Sequence, residues 1–431
     1  MRSLWICVSL LCAAAPAGAG DLAPPGAPAP SMKTLDQVEP RIPIGPLTAP
    51  GDADSVFRIT QPGSYFLTGD LLGEAGKRGV EIAASGVTLD LMGFTMQGVA
   101  GSLEGVGAPG SFGDFEGVRV RNGFIREWGG SGVDLNFVIG SAVEDIVAMA
   151  NDHGIVLGVS GVAIDCHVES NVREGVRNSF GGARATRVQA RSNGGIGISL
   201  ANDGVVEDCF VAGSGSIGVN LFNGGRVSNT VSNFNGNHGI NIGSGTAIGC
   251  AAEVNGGSGI NAGSTVVVDS CSATSNDGDG VTGGGVVIST VASFNDLSGL
   301  TTSFGATVRD CTFNFNSGPG ITVTTQSTVA GNTVRANGNG SAFAPGILVT
   351  GNDNRIDDNQ IVGNDVGLDV DGVSNIIMRN TAAGNGTSYQ IVANNFYGRI
   401  VDMTVAATPA VNGNSAANQI GTTEPWSNFA Y

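Results

Sequence analysis

The sequence predicts an all-β fold, a parallel β-helix of about 13–14 coils with a period near 21 residues and a cover at each end. Three observations carry that reading. First, one short phrase recurs, closing on an asparagine at Asn151, Asn171, Asn193, Asn235, Asn255, Asn276, Asn295, Asn316, Asn337, Asn364 and Asn385, with Ser214 in the single gap. A Gly-Ile or Gly-Val pair follows within a few residues, as in Gly175-Val176, Gly239-Ile240 and Gly320-Ile321. Second, each unit holds three β-branched runs too short for a helix, such as 259–261, 265–269 and 271–275, separated by Gly or Asn. Third, alternate residues of the last run are small or apolar. Cys166 and Val168, Val188 and Ala190, Cys250 and Ala252, and Cys311 and Phe313 face inward, while His167, Glu169, Gln189, Arg191 and Glu253 face out. Three strands and three corners per unit make one coil, and successive coils hydrogen-bond about 4.8 Å apart.

The repeated asparagine suits a corner on two counts. It tolerates the left-handed backbone of a tight turn, and its amide stacks into a ladder along the axis. The 70 glycines serve the same corners, and their lack of a three-residue period excludes collagen.

In chain order, residues 1–19 have the form of a secretory signal, with Arg2, an apolar core from Leu4 to Ala15 and a small-residue site at Ala17-Gly18-Ala19. Residues 20–50 are a Pro/Ala-rich extended leader. The β-helix is expected over 51–387, with 51–78 as its N-terminal cap and one insertion at 337–345. Within it, the Gly-rich stretch 101–115 reads as a loop thrown out of the helix, and Trp128 as a corner residue. Residues 388–431 break the period and gather Tyr389, Phe396, Tyr397, Trp426, Phe429 and Tyr431 as a C-terminal cap, since a bare solenoid end is an unpaired sheet edge.

The net charge of −17, one unit more negative if the signal and its Arg2 are removed, argues against nucleic acid and anionic membrane surfaces as partners. No apolar run is long enough for a membrane span. The expected location is outside the cytoplasm: secreted, periplasmic or on the cell surface. Cys166, Cys209, Cys250, Cys271 and Cys311 follow the signal, and all take the same inward slot. Only Cys250 and Cys271 fall on adjacent coils, close enough for a disulfide; otherwise the five are small core residues in a column.

The segment Phe57 to Gly98, with its runs Phe-Arg-Ile-Thr-Gln-Pro-Gly-Ser-Tyr-Phe-Leu and Val-Thr-Leu-Asp-Leu-Met-Gly-Phe-Thr-Met, resembles the opening of secreted right-handed parallel β-helix repeat proteins of pectin-lyase-like fold. That group includes carbohydrate-binding and sugar-hydrolase repeats. The resemblance implies a right-handed coil and a polysaccharide or cell-envelope glycan as partner, and it spans polysaccharide lyases, glycoside hydrolases, uronate epimerases, tailspikes and members without known activity. No complete catalytic signature of these enzymes is present. Asp152-His153-Gly154 and Asn237-His238-Gly239 echo only the histidine segment of the polygalacturonase-like hydrolases, Asp357-Asp358 comes too late, and an Asp-Pro-His motif is absent.

Repetition converts sequence position into spatial neighbourhood. Asp277 and Asp296 follow consecutive laddering asparagines and share a column, with Asp279 nearby. Paired carboxylates on adjacent coils suit glycoside hydrolysis or a calcium ion, and equally suit exposed turns. These three are the catalytic candidates. Asn220, Asn241 and Asn261 form an outward column, continued by Thr282, Thr301 and Thr322, with Phe222 at its edge; these are the substrate-binding candidates. His153 and His238 read as exposed corner residues, and Asp369 with Asp371 as a possible calcium pair. No metal site or cofactor is assigned beyond calcium as the ion those aspartates would suit. Two functions follow: a monomeric exported protein that binds a polysaccharide along its outer strand face and, if it is an enzyme, processes it as a lyase or hydrolase, or a non-catalytic surface or adhesive rod.

Overall fold

The computed structural model describes residues 41–302, 304–338, 344–402 and 424–431. The expected signal at 1–19, most of the leader at 20–50, the tip of the insertion and the middle of the 388–431 segment lie outside the described residues. Ile42–Tyr431 is one compact body.

Each coil adds one strand to each of three parallel stacks. The first sheet has 16 strands, from Ser55–Ile59 to Thr387–Ile391. The second stack ends at Phe396–Tyr397 and the third at Asn428–Ala430. Among the described residues there is no helix. The coil count exceeds the 13–14 read from the repeat because residues 42–72 already lie in register with the coil above. Phe57 pairs with Val80, Tyr65 with Leu89 and Leu71 with Met96. The stretch 101–115 is also less of a loop than its glycines suggest: Val106–Gly107 is a strand of the first sheet, and Val106 is fully buried. At the far end, Tyr389 donates its hydroxyl to the Asn380 and Phe429 carbonyls, tying the last strand down.

The three-residue strands alternate in opposite senses. In the second and third stacks the middle residue points inward, as Val206 and Val211 do. In the first sheet the two flanking residues, such as Val219 and Leu221, fill the core and the middle one faces out. One coil so buries Ile198, Leu200, Val206 and Val211 together, and such sets supply the hydrophobic term that offsets chain ordering.

The asparagine ladder is present and nearly continuous. It starts where the Trp128 N–H donates to Asn151 Oδ1 at 3.0 Å. In a typical step, Asn255 donates its backbone N–H (3.1 Å) and Nδ2 (2.9 Å) to Asn276 Oδ1, and Nδ2 also reaches the Ser232 carbonyl at 3.1 Å. The expected left-handed backbone falls one residue earlier. Ser170 (φ 54°), Ser192 (φ 50°), Phe234 (φ 56°) and Phe294 (φ 58°) take it, and the asparagines do not. The reason is the ladder: to aim its amide inward and along the axis, the asparagine needs ordinary backbone, so the turn is made by its neighbour. That neighbour can be as bulky as Phe because its side chain leaves the body.

The cysteines form the start of a second ladder. All five are free and buried, so Cys250 and Cys271 are unpaired thiols here. Cys209 Sγ accepts from the Val188 N–H at 3.4 Å and Cys311 Sγ from the Thr290 N–H at 3.5 Å. Thr290 and Asn332 do the same for Cys271 and Cys311 at 3.4 and 3.0 Å. Burial pushes the Cys166 thiol up to about 12 and those of Cys209 and Cys311 to about 11, so they are inert acceptors.

Candidate functional site on the outer face of the first sheet

Because the middle residue of each first-sheet strand faces out, register alone builds a stripe along that face. Ser199, Asn220, Asn241, Asn261, Thr282, Thr301 and Thr322 occupy consecutive positions. Asn261 Nδ2 donates to Asn241 Oδ1 and Asn241 Nδ2 to Asn220 Oδ1, both at 2.6 Å. Asn241 so uses one amide hydrogen and one oxygen lone pair on its neighbours and keeps one of each for a ligand. Asn220 is buried and Asn241 and Asn261 are half-buried, while the Phe222 ring beside them is exposed.

The three aspartates separate into two environments. Asp277 and Asp296 lie exposed in one corner column, each donating its backbone N–H to an asparagine carbonyl of the coil before. Asp279 sits nearer the stripe and is held: Oδ1 accepts from the Ser298 N–H at 2.8 Å and Oδ2 from Thr282 Oγ1 at 3.2 Å. Among the described residues no group of three or more His, Cys, Asp or Glu side chains could hold a metal ion.

Followed towards the N-terminus, the same stripe becomes charged. Arg177, Val156, Asp134, Gly107 and Glu81 are its positions in successive coils below Ser199. Gly107 has no side chain to present, and a cavity of about 210 Å³ opens there, lined by Arg78, Glu104, Pro109, Asp134 and Phe137 among others. Arg78 Nε lies 2.8 Å from Glu104 Oε2, and its Nη1 lies 3.7 Å from Glu81 Oε2. Arg58 Nε binds the other Glu81 oxygen at 2.8 Å. Burial pushes the Asp134 carboxyl above the usual aspartate range; the Asn136 N–H, donating to Oδ1 at 3.0 Å, works against this, and the Glu104 charge adds to it. Phe112 and Phe137 pack against Phe180 at centroid distances of 5.1 and 6.1 Å, forming an aromatic border.

The next corner up holds His153, expected to be exposed. It is buried, with Nδ1 3.1 Å from Asp152 Oδ2 and Nε2 2.9 Å from Glu174 Oε2. Its hydrogen bond holds the Glu174 carboxyl below the usual range. His238, in the equivalent corner further along, accepts the Ser258 N–H on Nδ1 at 3.0 Å, and burial lowers its pKa. It is a neutral imidazole with its proton on Nε2.

Sequence reasoning missed the charged end of the stripe. Reading 101–115 as a loop removed Glu104 and Gly107 from the array, so their register with Ser131 and Asp134 was lost. The usable signal was Glu104-Gly105-Val106, which repeats the step of Gly followed by Val, Ile or Leu found in the neighbouring coils.

Three stacks of parallel strands, one added to each per coil, define a parallel β-helix. Residues 194–344 match the family described as the right handed beta helix region. Among solved structures, the mannuronan C-5 epimerase AlgE6 A-module of Azotobacter vinelandii is similar over 78% of this chain and 89% of its own, at 18% identity and a TM-score of 0.39. The periplasmic alginate epimerase AlgG is similar over 83% of this chain and 81% of its own (11% identity, TM-score 0.31). A mutant tailspike protein of E. coli bacteriophage HK620, in complex with a pentasaccharide, is similar over 86% and 71% respectively (13% identity, TM-score 0.35). No match is found among curated protein sequences. Likeness at this level concerns the solenoid only.

Proposed function

We propose that this protein is exported and binds an extended polysaccharide along the outer face of its first sheet. The observation that supports this is the Asn220–Asn241–Asn261 row, whose amides are fixed by one another and still hold free hydrogen-bonding capacity towards solvent. Coils repeat about every 4.8 Å, close to the length of one sugar unit in an extended chain, so each coil can meet one unit. Phe222 supplies an apolar ring beside the row. Chemistry on the bound chain would fall either to Asp277, Asp279 and Asp296 beside the row or to the charged cavity at the stripe's other end. The signal-like segment at 1–19 supports export.

The competing reading is a non-catalytic surface or adhesive rod. Its support is an interior built of nearly continuous side-chain ladders that needs no ligand, together with the missing catalytic signature. Co-sedimentation with insoluble neutral and uronic polysaccharides, with and without calcium, separates the two. Binding is expected, and N241A should weaken it about tenfold, or ~1.4 kcal/mol, the scale of a lost hydrogen-bonding group. Failure to sediment with any glycan would leave the rod. Binding unchanged in N220A, N241A and N261A would move the site elsewhere.

A further inference from the structure

We infer that the cavity between Glu104 and Asp134 is a hydrolytic site for a neutral glycan, in which Asp134 is the general acid and Glu104 the base that activates water. This deepens the glycan-binding reading and rests on it. Four independent features converge there. The cavity is the place where the outer stripe lacks a side chain: a Cβ built on Gly107 would come within 3.0 Å of Arg78 Cδ and 3.6 Å of Glu104 Cβ. Two carboxylates from neighbouring coils line it, and their surroundings differ. Glu104 is ion-paired to Arg78, while Asp134 accepts the Asn136 N–H and a long 3.5 Å contact from Ser131 Oγ, and burial pushes its carboxyl above the usual aspartate range. Such a divergence between two carboxyls is what separates an acid from a base. Phe137 forms one wall, a surface on which a sugar ring can stack.

The step balances without a metal or redox partner. The Asp134 proton passes to the glycosidic oxygen as its bond to the anomeric carbon breaks. A water oxygen bonds to that carbon and gives its proton to Glu104. One water is consumed, one reducing end and one hydroxyl are formed, and exchange with solvent restores both carboxyls. The charge of the lining sets the substrate class. The cavity presents two carboxyls and one guanidinium, and Arg78 is already engaged by Glu104 and Glu81. A uronate would enter against negative charge with no free cation to meet it; a neutral sugar has no such cost.

The test uses the purified full chain on a panel of neutral and uronic polysaccharides. It follows new reducing ends, ultraviolet absorbance of unsaturated uronides and sedimentation with insoluble glycan. Saturated reducing ends from a neutral glycan are expected. D134N and E104Q should each lower the rate by about 10² or more while neither lowers the melting temperature and sedimentation holds, and G107V, which fills the cavity and crowds Arg78, should lower it as well. Unsaturated products would overturn the inference, as would cleavage unaffected by both D134N and E104Q. Loss confined to the D277N/D279N/D296N variant would transfer the chemistry to that column. A neutral glycan bound without products would remove the hydrolytic site and leave glycan binding intact; absence of any binding would remove both.

Discussion

Ser214 is the one break in the asparagine ladder, and filling it should stabilise the protein. Its Oγ is buried without a partner, and Asn193 makes only one amide bond there, from Nδ2 to the Val168 carbonyl at 3.1 Å. In intact steps the incoming Oδ1 accepts both the backbone N–H and Nδ2 of the coil before, as Asn193 does for Asn171 at 3.1 and 2.9 Å. Ser214→Asn would restore those two bonds and add two from its own Nδ2, to Asn235 Oδ1 and the Ala190 carbonyl. The space exists. A Cβ on Gly175 would meet Asn193 Nδ2 at 2.7 Å, and Gly197 leaves the corresponding room opposite residue 214. Four bonds at roughly 0.5–1 kcal/mol each, less about 1 kcal/mol for ordering the longer side chain, give a net gain of about 1–3 kcal/mol. Urea denaturation should show a higher midpoint, and amide exchange should show the Asn193 N–H becoming protected. An unchanged or lower midpoint with an unprotected Asn193 amide would refute the ladder as an energetic device. The converse, Asn255→Ala, strips acceptors from the Asn235 N–H and Nδ2 and should cost about 3 kcal/mol.

The cysteine column gives a second prediction. Cys311→Ala leaves the buried Thr290 N–H without its acceptor and should cost about 1–2 kcal/mol, whereas Cys311→Asn, the residue used at 332 and 359, should recover most of it by the same denaturation assay. A third concerns the C-terminal coil. Asp357 is buried, which by itself opposes ionisation, but Arg379 (Nε 2.7 Å) and Arg355 (Nη2 2.7 Å) outweigh that and hold its carboxyl below the usual range. A depressed folded value means the stabilisation is complete above the unfolded aspartate range and is lost as pH falls through the folded one. Protection of the Asn428–Ala430 amides should therefore fade on acidification and be weak at all pH values in D357N, since Arg379 also covers Trp426 at 5.7 Å. The raised carboxyl of Asp134 carries the opposite sign. D134N should gain stability at neutral pH, and the gain should vanish below the unfolded aspartate range, read as melting temperature against pH.

The sequence by itself determined the solenoid, its period and the inward residues, because a parallel coil repeats its environment every turn. Asn276 and Asn295 are spelled alike since they do the same work one coil apart. The outward row from Asn220 to Asn261 was legible for the same reason. What repetition cannot report is a residue whose role differs from its neighbours'. Only the tertiary structure showed that Ser170 or Phe294, not the adjacent asparagine, takes the left-handed turn, since that depends on where the ladder aims its amide. Likewise His153 is enclosed by Asp152 and Glu174, and Gly107 opens a cavity between Glu104 and Asp134. Those contacts are set where coils of unequal length meet, and there the register is decided by which Val can enter the core, a matter of packing in three dimensions.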